Sequence, residues 1–99
     1  MKIQLLSSAL KDLYNARLFY EKQGQGLGEY FFDSLFSDID SLVLYAGIHS
    51  KVFGYHRMLA KRFPYAVYYR IKGKGTIVLI YRILDLRQDP NKIKQYLDK

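Results

Sequence analysis

The chain has 99 residues, of which 49% are hydrophobic and 16% aromatic. This composition excludes a disordered polypeptide and predicts one domain, residues 1–99, with a small core. The absence of cysteine excludes disulfides and thiolate metal sites. Because the first apolar run is too short for a signal sequence or a membrane span, we expect a soluble cytoplasmic protein.

The net charge of +7 is distributed unevenly. Residues 1–50 contain four Lys or Arg against six Asp or Glu, whereas residues 51–99 contain twelve against three. Such segregation indicates an anionic partner, either a nucleic acid or an acidic protein. The simpler alternative is a solvated basic surface that only keeps a small domain soluble.

The first half of the chain predicts one short strand and two helices. The strand covers Lys2–Leu6, Ser7 or Ser8 caps the first helix, and this helix stops near Gly24. A second helix runs from about Leu27 to Leu44. The turn GQGLG is so short that the two helices must form an antiparallel hairpin. The apolar positions at helical spacing are Ala9, Leu10, Leu13, Ala16 and Tyr20 in the first helix, and Leu27, Phe31, Leu35, Ile39 and Leu42 in the second.

The second half changes to a period of two after a loop at residues 46–54. The predicted strands are Tyr55–Lys61, Tyr65–Ile71 and Thr76–Leu84. A hairpin turn at residues 72–75 joins the last two, and a short helix follows at residues 90–97. The order β-α-α-β-β-β-α predicts an α+β fold, with the helical hairpin packed on one face of a mainly antiparallel sheet.

Alternation along the strands divides their residues between two faces. We expect an inner set against the helices, made of Tyr65, Val67, Tyr69 and Ile71 with Ile77, Leu79, Tyr81 and Ile83. The outer face then displays Arg57, Lys61, Tyr68, Arg70 and Arg82. The stretch KRFPYAVYYRI would therefore be half core and half basic, aromatic surface. Tyr65 and Tyr69 are assigned to the core, whereas Tyr68 is equally compatible with core and surface.

Other polar residues give little indication of catalysis. His49 and His56 have no partners at the spacing that metal binding or nucleophilic catalysis requires. Asp38 and Asp40 are interpreted as helix surface residues, too few for a cation cage. The turn GQGLG follows a helix, whereas a phosphate loop follows a strand. We therefore expect neither a metal nor a cofactor.

Four segments together resemble the RelE/ParE superfamily of toxins, closest to its ParE-like branch. They are ALKDLYNARLFYEKQGQGLGEYFFDSL, RMLAKRFPYAVYYRI, IVLIYRIL and RQDP, in this order along nearly the whole chain. The first resembles the helical hairpin of the family, the next two resemble its strands, and the last resembles its closing Arg-Asp-Pro element.

The resemblance implies the toxin of a type II toxin–antitoxin, plasmid-stabilisation-like system. Such a toxin inhibits growth and is held inactive by a cognate antitoxin in a hetero-oligomer. ParE-like members poison DNA gyrase, whereas RelE-like members cleave mRNA in the ribosome. The residues expected to bind the target or the antitoxin are Arg57, Lys61, Arg62, Tyr68, Arg70, Arg82 and Arg87. One basic face that serves both partners would make their binding mutually exclusive.

Comparison with the nuclease branch favours a protein-binding toxin. Where that branch has an Arg after the strand aromatic, this chain has Ala66. The paired lysines are replaced by Arg57 and Leu59, and the C-terminal Tyr has Tyr96 as its possible counterpart. The remaining candidates for catalytic phosphate contacts are Arg57, Lys61, Arg82 and Arg87. A ribosome-dependent mRNA endonuclease is the alternative function.

The chain also departs from the ParE-like pattern. Asp85 replaces a His at the end of the last strand, Gln88 replaces a second Arg, and the loop after helix two reads YAGIHSKVFG. A third hypothesis follows from these changes: a degenerate member that binds its antitoxin without inhibiting growth.

Overall fold

A five-stranded sheet carries helices on both faces in the structure, a computed structural model that describes residues 1–98. The sheet order is β1-β5-β4-β3-β2; only the β1–β5 pair is parallel. The predicted α+β class and element order are confirmed. The elements are β1 (Lys2–Leu5), α1 (Ser7–Glu21), α2 (Leu27–Asp40), α3 (Leu42–Tyr45), β2 (Lys51–Val52), β3 (Tyr55–Leu59), β4 (Tyr65–Lys72), β5 (Ile77–Asp85) and α4 (Pro90–Leu97).

The turn between α1 and α2 is built for close helix contact. A Cβ atom on Gly28 would lie 2.6 Å from the backbone oxygen of Arg17, so only glycine fits there. The Glu21 carboxylate accepts hydrogen bonds from the N–H groups of Gly26, at 3.1 Å, and Gly28, at 2.9 Å. These bonds satisfy two free donors at the start of α2 and fix the hairpin.

The hairpin and the inner face of the sheet enclose the larger core. Its aromatic part joins Tyr20, Phe31, Phe63 and Tyr65, and the ring centroids of Phe31 and Tyr65 are 5.0 Å apart. Val67 and Tyr69 are fully buried in the same cluster, as predicted. Packed aromatic rings contribute much of the stability of so small a domain.

A second core lies on the opposite face of the sheet, which alternation predicted to be a basic, aromatic surface. Helix α4 covers it, and Tyr68 is only 1% exposed there. The start of α4 is fixed by Pro90 and by the Asp89 carboxylate, which accepts from the Asn91 N–H at 2.8 Å. The buried residues of this second core are Tyr55, Ala66, Tyr68, Leu84, Ile93 and Leu97.

A β-bulge interrupts the pairing of β4 with β5. Tyr68 pairs with Arg82, but the next residue, Tyr69, pairs with Ile80. Tyr81 is therefore the extra residue that has no partner across the ladder.

The bulge reverses the alternation of β5. Before it, Val78 and Ile80 belong to the larger core, and after it, Ile83 does. The predicted inner positions of Ile77, Leu79 and Tyr81 were therefore wrong. A strict period of two cannot reveal one inserted residue.

The predicted helix from Leu27 to Leu44 is broken at Ser41, which separates α2 from α3. Helix α1 starts without a side-chain cap, and the Ser8 hydroxyl donates instead to the Tyr81 carbonyl at 2.8 Å. The expected cap by Ser7 or Ser8 was therefore wrong. Leu10, predicted to be on the packing face of α1, is 37% exposed.

The connections around β3 also differ from the prediction. The loop predicted at residues 46–54 contains β2, which pairs with β3 through a turn in which Phe53 and Gly54 have positive φ angles. The strand predicted to reach Lys61 ends at Leu59. Beyond it, the Lys61 N–H donates to the Asp38 carboxylate at 3.0 Å.

Candidate functional site

Three predicted site residues form a row across the sheet. Arg57 on β3 is opposite Tyr68 on β4, which is opposite Arg82 on β5. Burial raises the pKa of the Tyr68 hydroxyl, and the neighbouring Arg57 partly offsets this effect. Because Tyr68 lies in the second core, the row is not the continuous open surface that alternation predicted.

Arg82 is committed to contacts within the chain. Its Nε and Nη2 atoms each lie 2.8 Å from a carboxylate oxygen of Asp12 on α1. Its guanidinium also lies 4.8 Å from the ring centroid of Tyr96 on α4. The Arg82 and Asp12 side chains are only 20% and 12% exposed. The Asp12 hydrogen bonds raise the pKa of Arg82, so this charge is permanent and already neutralised.

Asp12 also accepts a hydrogen bond from the backbone of β5, beyond the point where β1 ends. The last pair of β1 with β5 joins Leu5 and Ile80. Farther along β5, the Ile83 N–H donates to the Asp12 carboxylate at 2.9 Å. One carboxylate therefore supports both a guanidinium and a strand edge, a structural role that leaves little freedom for catalysis.

Arg87 is paired with Asp85, directly after the last strand. Arg87 Nε and Nη2 lie 3.0 and 2.7 Å from the two carboxylate oxygens. The hydrogen bonds from Arg87 lower the pKa of Asp85. Gln88 donates to the Asp85 carbonyl at 3.0 Å. The two residues that depart from the ParE-like pattern thus form one network with the remaining Arg.

Two tyrosines lie beside this network. Arg87 Nη2 is 3.5 Å from the Tyr20 hydroxyl. Burial, reinforced by the Asp85 charge, raises the pKa of Tyr65 to about 12. At neutral pH Tyr65 is therefore a protonated core residue and a poor proton acceptor.

Lys61 and Arg62 lie in the loop between β3 and β4, with exposed side chains. The Lys61 backbone is held by Asp38, which is only 6% exposed. The interpretation of Asp38 as a helix surface residue was therefore wrong. The Asp38 carboxylate accepts a hydrogen bond from the loop backbone, and helical periodicity does not reveal such a role.

Arg70 lies toward the other end of β4. Its guanidinium is 3.9 Å from the ring centroid of Tyr55 and 5.3 Å from that of Tyr81. Its Nε donates to the Gly54 carbonyl at 3.3 Å. Arg70 thus remains on the outer face, as predicted, stacked on aromatic side chains.

The structure does not bring the predicted cations together into one catalytic group. Arg82 and Arg87 each have a carboxylate partner, Lys61 and Arg62 extend from a loop, and Arg70 lies at a different end of β4. Within residues 1–98, no cluster of three His, Cys, Asp or Glu side chains could hold a metal ion. What this arrangement supports chemically is the binding of anionic groups at several separate places.

The two histidines have structural partners that sequence reasoning missed. His49 Nδ1 lies 2.6 Å from the Tyr69 hydroxyl, which also accepts from the Gly47 N–H at 2.9 Å. His56 Nδ1 lies 2.6 Å from the His49 carbonyl oxygen, and its ring stacks on Tyr69. Burial lowers the pKa of His49, and the hydrogen bond between its ring and the Tyr69 hydroxyl anchors the loop before β2.

Sequence reasoning also missed two exposed apolar surfaces. On α1, Leu10, Tyr14 and Leu18 are 37%, 52% and 60% exposed. Their spacing of four residues was a readable sign of a second helix face. The other surface, around α3 and the end of β3, consists of Leu44, Tyr45, Ile48 and Leu59.

Among residues 1–98, no helix has the length and apolar character that crossing a membrane requires.

The chain matches a known protein family by sequence and a solved toxin–antitoxin structure by fold. The family profile described as "ParE toxin of type II toxin-antitoxin system, parDE" matches residues 3–90. No curated protein matches the chain significantly. A solved chain of the chromosomal ParDE toxin–antitoxin system from P. aeruginosa has a TM-score of 0.78 at 23% identity, over 88% of this chain and 97% of that one. A chain of the RelBE2 toxin–antitoxin complex from Mycobacterium tuberculosis has a TM-score of 0.47 at 22% identity, over 83% and 93%.

Proposed function

The chain belongs to the ParE toxin family of type II toxin–antitoxin systems, and we propose that it inhibits growth by binding DNA gyrase or related machinery. In this proposal the toxin acts by occupying its target and performs no bond cleavage itself. The observation that carries it is the neutralisation of Arg82 and Arg87 by Asp12 and Asp85.

Cleavage of RNA by attack of its 2′-OH requires a proton acceptor, cations at the phosphate and a proton donor. Two of the four candidate cations already face carboxylates at 2.7 to 2.8 Å. The burial of Tyr65 and its pKa of about 12 make it unsuitable as a proton acceptor at neutral pH. These facts support a binding mechanism over a nuclease mechanism.

We also propose that a cognate acidic antitoxin neutralises the toxin in a hetero-oligomer. A net charge of +7 favours an acidic partner. The exposed apolar residues on α1 and around α3 are the kind of surface that a bound partner covers. The similar P. aeruginosa structure is that of a ParDE toxin–antitoxin system, which is consistent with such a partner.

The deciding experiment is induced expression of the chain without antitoxin, followed by pulse labelling of DNA and protein synthesis. We expect DNA synthesis to fall first, with translation following later. The purified toxin should also inhibit supercoiling by gyrase in vitro and leave mRNA intact on programmed ribosomes.

Other outcomes would overturn the proposal in distinct ways. Early loss of translation with mRNA cleavage would identify an endonuclease, and the Arg57→Ala/Lys61→Ala variant should then lose activity. The Lys92→Ala/Lys94→Ala variant removes the same charge from α4 and is its matched control. Continued growth with a folded, expressed protein would identify a degenerate member that binds only its antitoxin.

A further inference from the structure

A pocket of about 250 Å³ lies at the end of β4 that is remote from Asp85. It is where β4 extends beyond β3, since the last pair of these strands joins His56 and Tyr69. We call it the open pocket. It is lined by Lys51, Gly54, His56, Arg70, Ile71 and Lys72.

The arginine of the open pocket is held in a fixed position. Two tyrosine rings lie within 5.3 Å of its guanidinium, and its Nε is bonded to the Gly54 carbonyl at 3.3 Å. The Nη atoms remain available as donors. A planar fork with a fixed orientation loses little entropy when it binds a phosphate oxygen pair.

The positive charge of the open pocket is not neutralised by the chain. Within residues 1–98, no carboxylate lies within 4.0 Å of the charged nitrogens of Lys51, Arg70 or Lys72. Gly54 has a φ of +84°, a backbone conformation that other residues adopt only with strain, and its carbonyl accepts from Arg70 Nε. Three cations around one small polar pocket create a strong local attraction for an anion.

An exposed aromatic residue directly precedes one residue of the open pocket in sequence. Phe53 precedes Gly54, is 42% exposed and has a φ of +54°. Positive φ angles at both Phe53 and Gly54 are what a two-residue hairpin turn requires, and they place Phe53 at the tip of the β2–β3 hairpin. Exposed rings beside cations are the elements with which proteins bind single-stranded nucleic acids.

We propose that the open pocket binds a backbone phosphate of a single-stranded nucleic acid, with an adjacent base stacked on Phe53. An acidic peptide is less suited, because Ile71 is the pocket's one aliphatic residue and peptide binding depends on buried apolar anchors. The proposal goes beyond the proposed function and does not depend on the identity of the toxin's target.

The test uses the purified full chain and short, fluorescently labelled DNA and RNA oligonucleotides of the same sequence. Anisotropy at low salt should show binding, and the Lys51→Gln/Lys72→Gln variant should bind about tenfold more weakly. Its log–log salt slope should fall by about 1.4, corresponding to two lost phosphate contacts on a single strand. The Phe53→Leu variant should also bind about tenfold more weakly but keep the wild-type salt slope.

The Lys92→Gln/Lys94→Gln variant removes the same charge from α4 and should bind like the wild type. The Arg70→Lys variant keeps the charge but removes the fork, and its binding should weaken several-fold if it remains folded by circular dichroism. Equal binding of DNA and RNA, or a preference for either, supports phosphate recognition. The proposal is overturned if neither oligonucleotide binds, if only poly-glutamate binds, or if the α4 variant weakens binding as much as the pocket variant.

Discussion

Two sets of cations at opposite ends of β4 differ in whether they have carboxylate partners: the arginines near Asp85 and the cations of the open pocket. Toward Tyr65, the arginines of β5 and the segment after it are each paired with a carboxylate, Asp12 or Asp85. Toward Lys72, the cations of the open pocket have no carboxylate partner within residues 1–98. The number of basic residues in a region therefore does not locate a binding site. What matters is which charges the fold has already neutralised, because a cation without a carboxylate partner attracts an anionic ligand more strongly than a paired one.

Replacing Asp12 should have the largest effect. Asp12→Ala leaves the Arg82 charge unpaired in a site that is 20% exposed and removes the acceptor of the Ile83 N–H. We expect the free energy of unfolding in urea to fall by about 3 kcal/mol. Asp33→Ala, on the exposed side of α2, is the control. A loss for Asp12→Ala no larger than the control's would show that the pair contributes nothing to stability.

Raising the pH above 10 should lower the stability of the folded protein through Tyr65. Its pKa of about 12 exceeds the ordinary value of 10.0, so the folded protein keeps a proton that the unfolded chain releases. Stability is therefore lost as the pH rises from 10 to 12, and Tyr65 should account for about 2 kcal/mol of this loss. Tyr65→Phe should show a shallower decline in chemical denaturation, whereas Tyr45→Phe, at an exposed position, should decline like the wild type.

Asp85→Asn should have a smaller effect, because the Arg87 side chain is 55% exposed. We expect a loss of about 0.5 kcal/mol at neutral pH. Arg87 lowers the pKa of folded Asp85, so its contribution is present above the unfolded pKa and is lost as the pH falls through the folded pKa. Denaturation curves of the variant and the wild type should therefore converge in acid. A difference that persists there would assign the effect to packing instead.

The smallest effect is expected in the open pocket. Lys51→Gln/Lys72→Gln should change the free energy of unfolding by less than about 0.5 kcal/mol, because no intramolecular partner is lost. A clear loss of stability by thermal denaturation would mean that these lysines support the fold, and the contrast between the two ends of β4 would disappear.

Much of the fold could be predicted because its signals are local. The helical spacing in residues 7–21 and 27–40, the short turn GQGLG and Pro90 all act within a few residues. The break at Ser41 escaped prediction because the hydrogen bond from its hydroxyl to the Asp38 carbonyl has no signal in apolar spacing. The strand β2 escaped it because Phe53 occupies a turn position with positive φ, where Asn, Asp or Gly is typical. Helix α4 was predicted at its correct position, but its apolar residues gave no indication of which face of the sheet it would cover.

The candidate site was harder to predict from the sequence than the fold was. Asp12 and Arg82 lie 70 residues apart, and neither helical nor strand periodicity relates them. Asp85 and Gln88 were interpreted as losses from a family pattern, although they organise Arg87. As binding residues, all seven candidates remain predictions: Arg57, Lys61, Arg62, Tyr68, Arg70, Arg82 and Arg87. Residue type gives the charge, whereas its neutralisation depends on distances that only the folded chain defines.

Because Tyr81 has no partner on β4, β5 contains one residue more than the paired segment of β4. Deleting it would restore an uninterrupted ladder and still leave Ile83 toward the helical hairpin and Leu84 toward α4, so both would keep their faces of the sheet. What would disappear is the carbonyl that accepts from Ser8 and the ring that packs on Tyr55 of the second core and lies near Arg70. In evolutionary terms, a single codon can therefore be gained or lost at this point, altering the setting of the open pocket while the architecture stays the same.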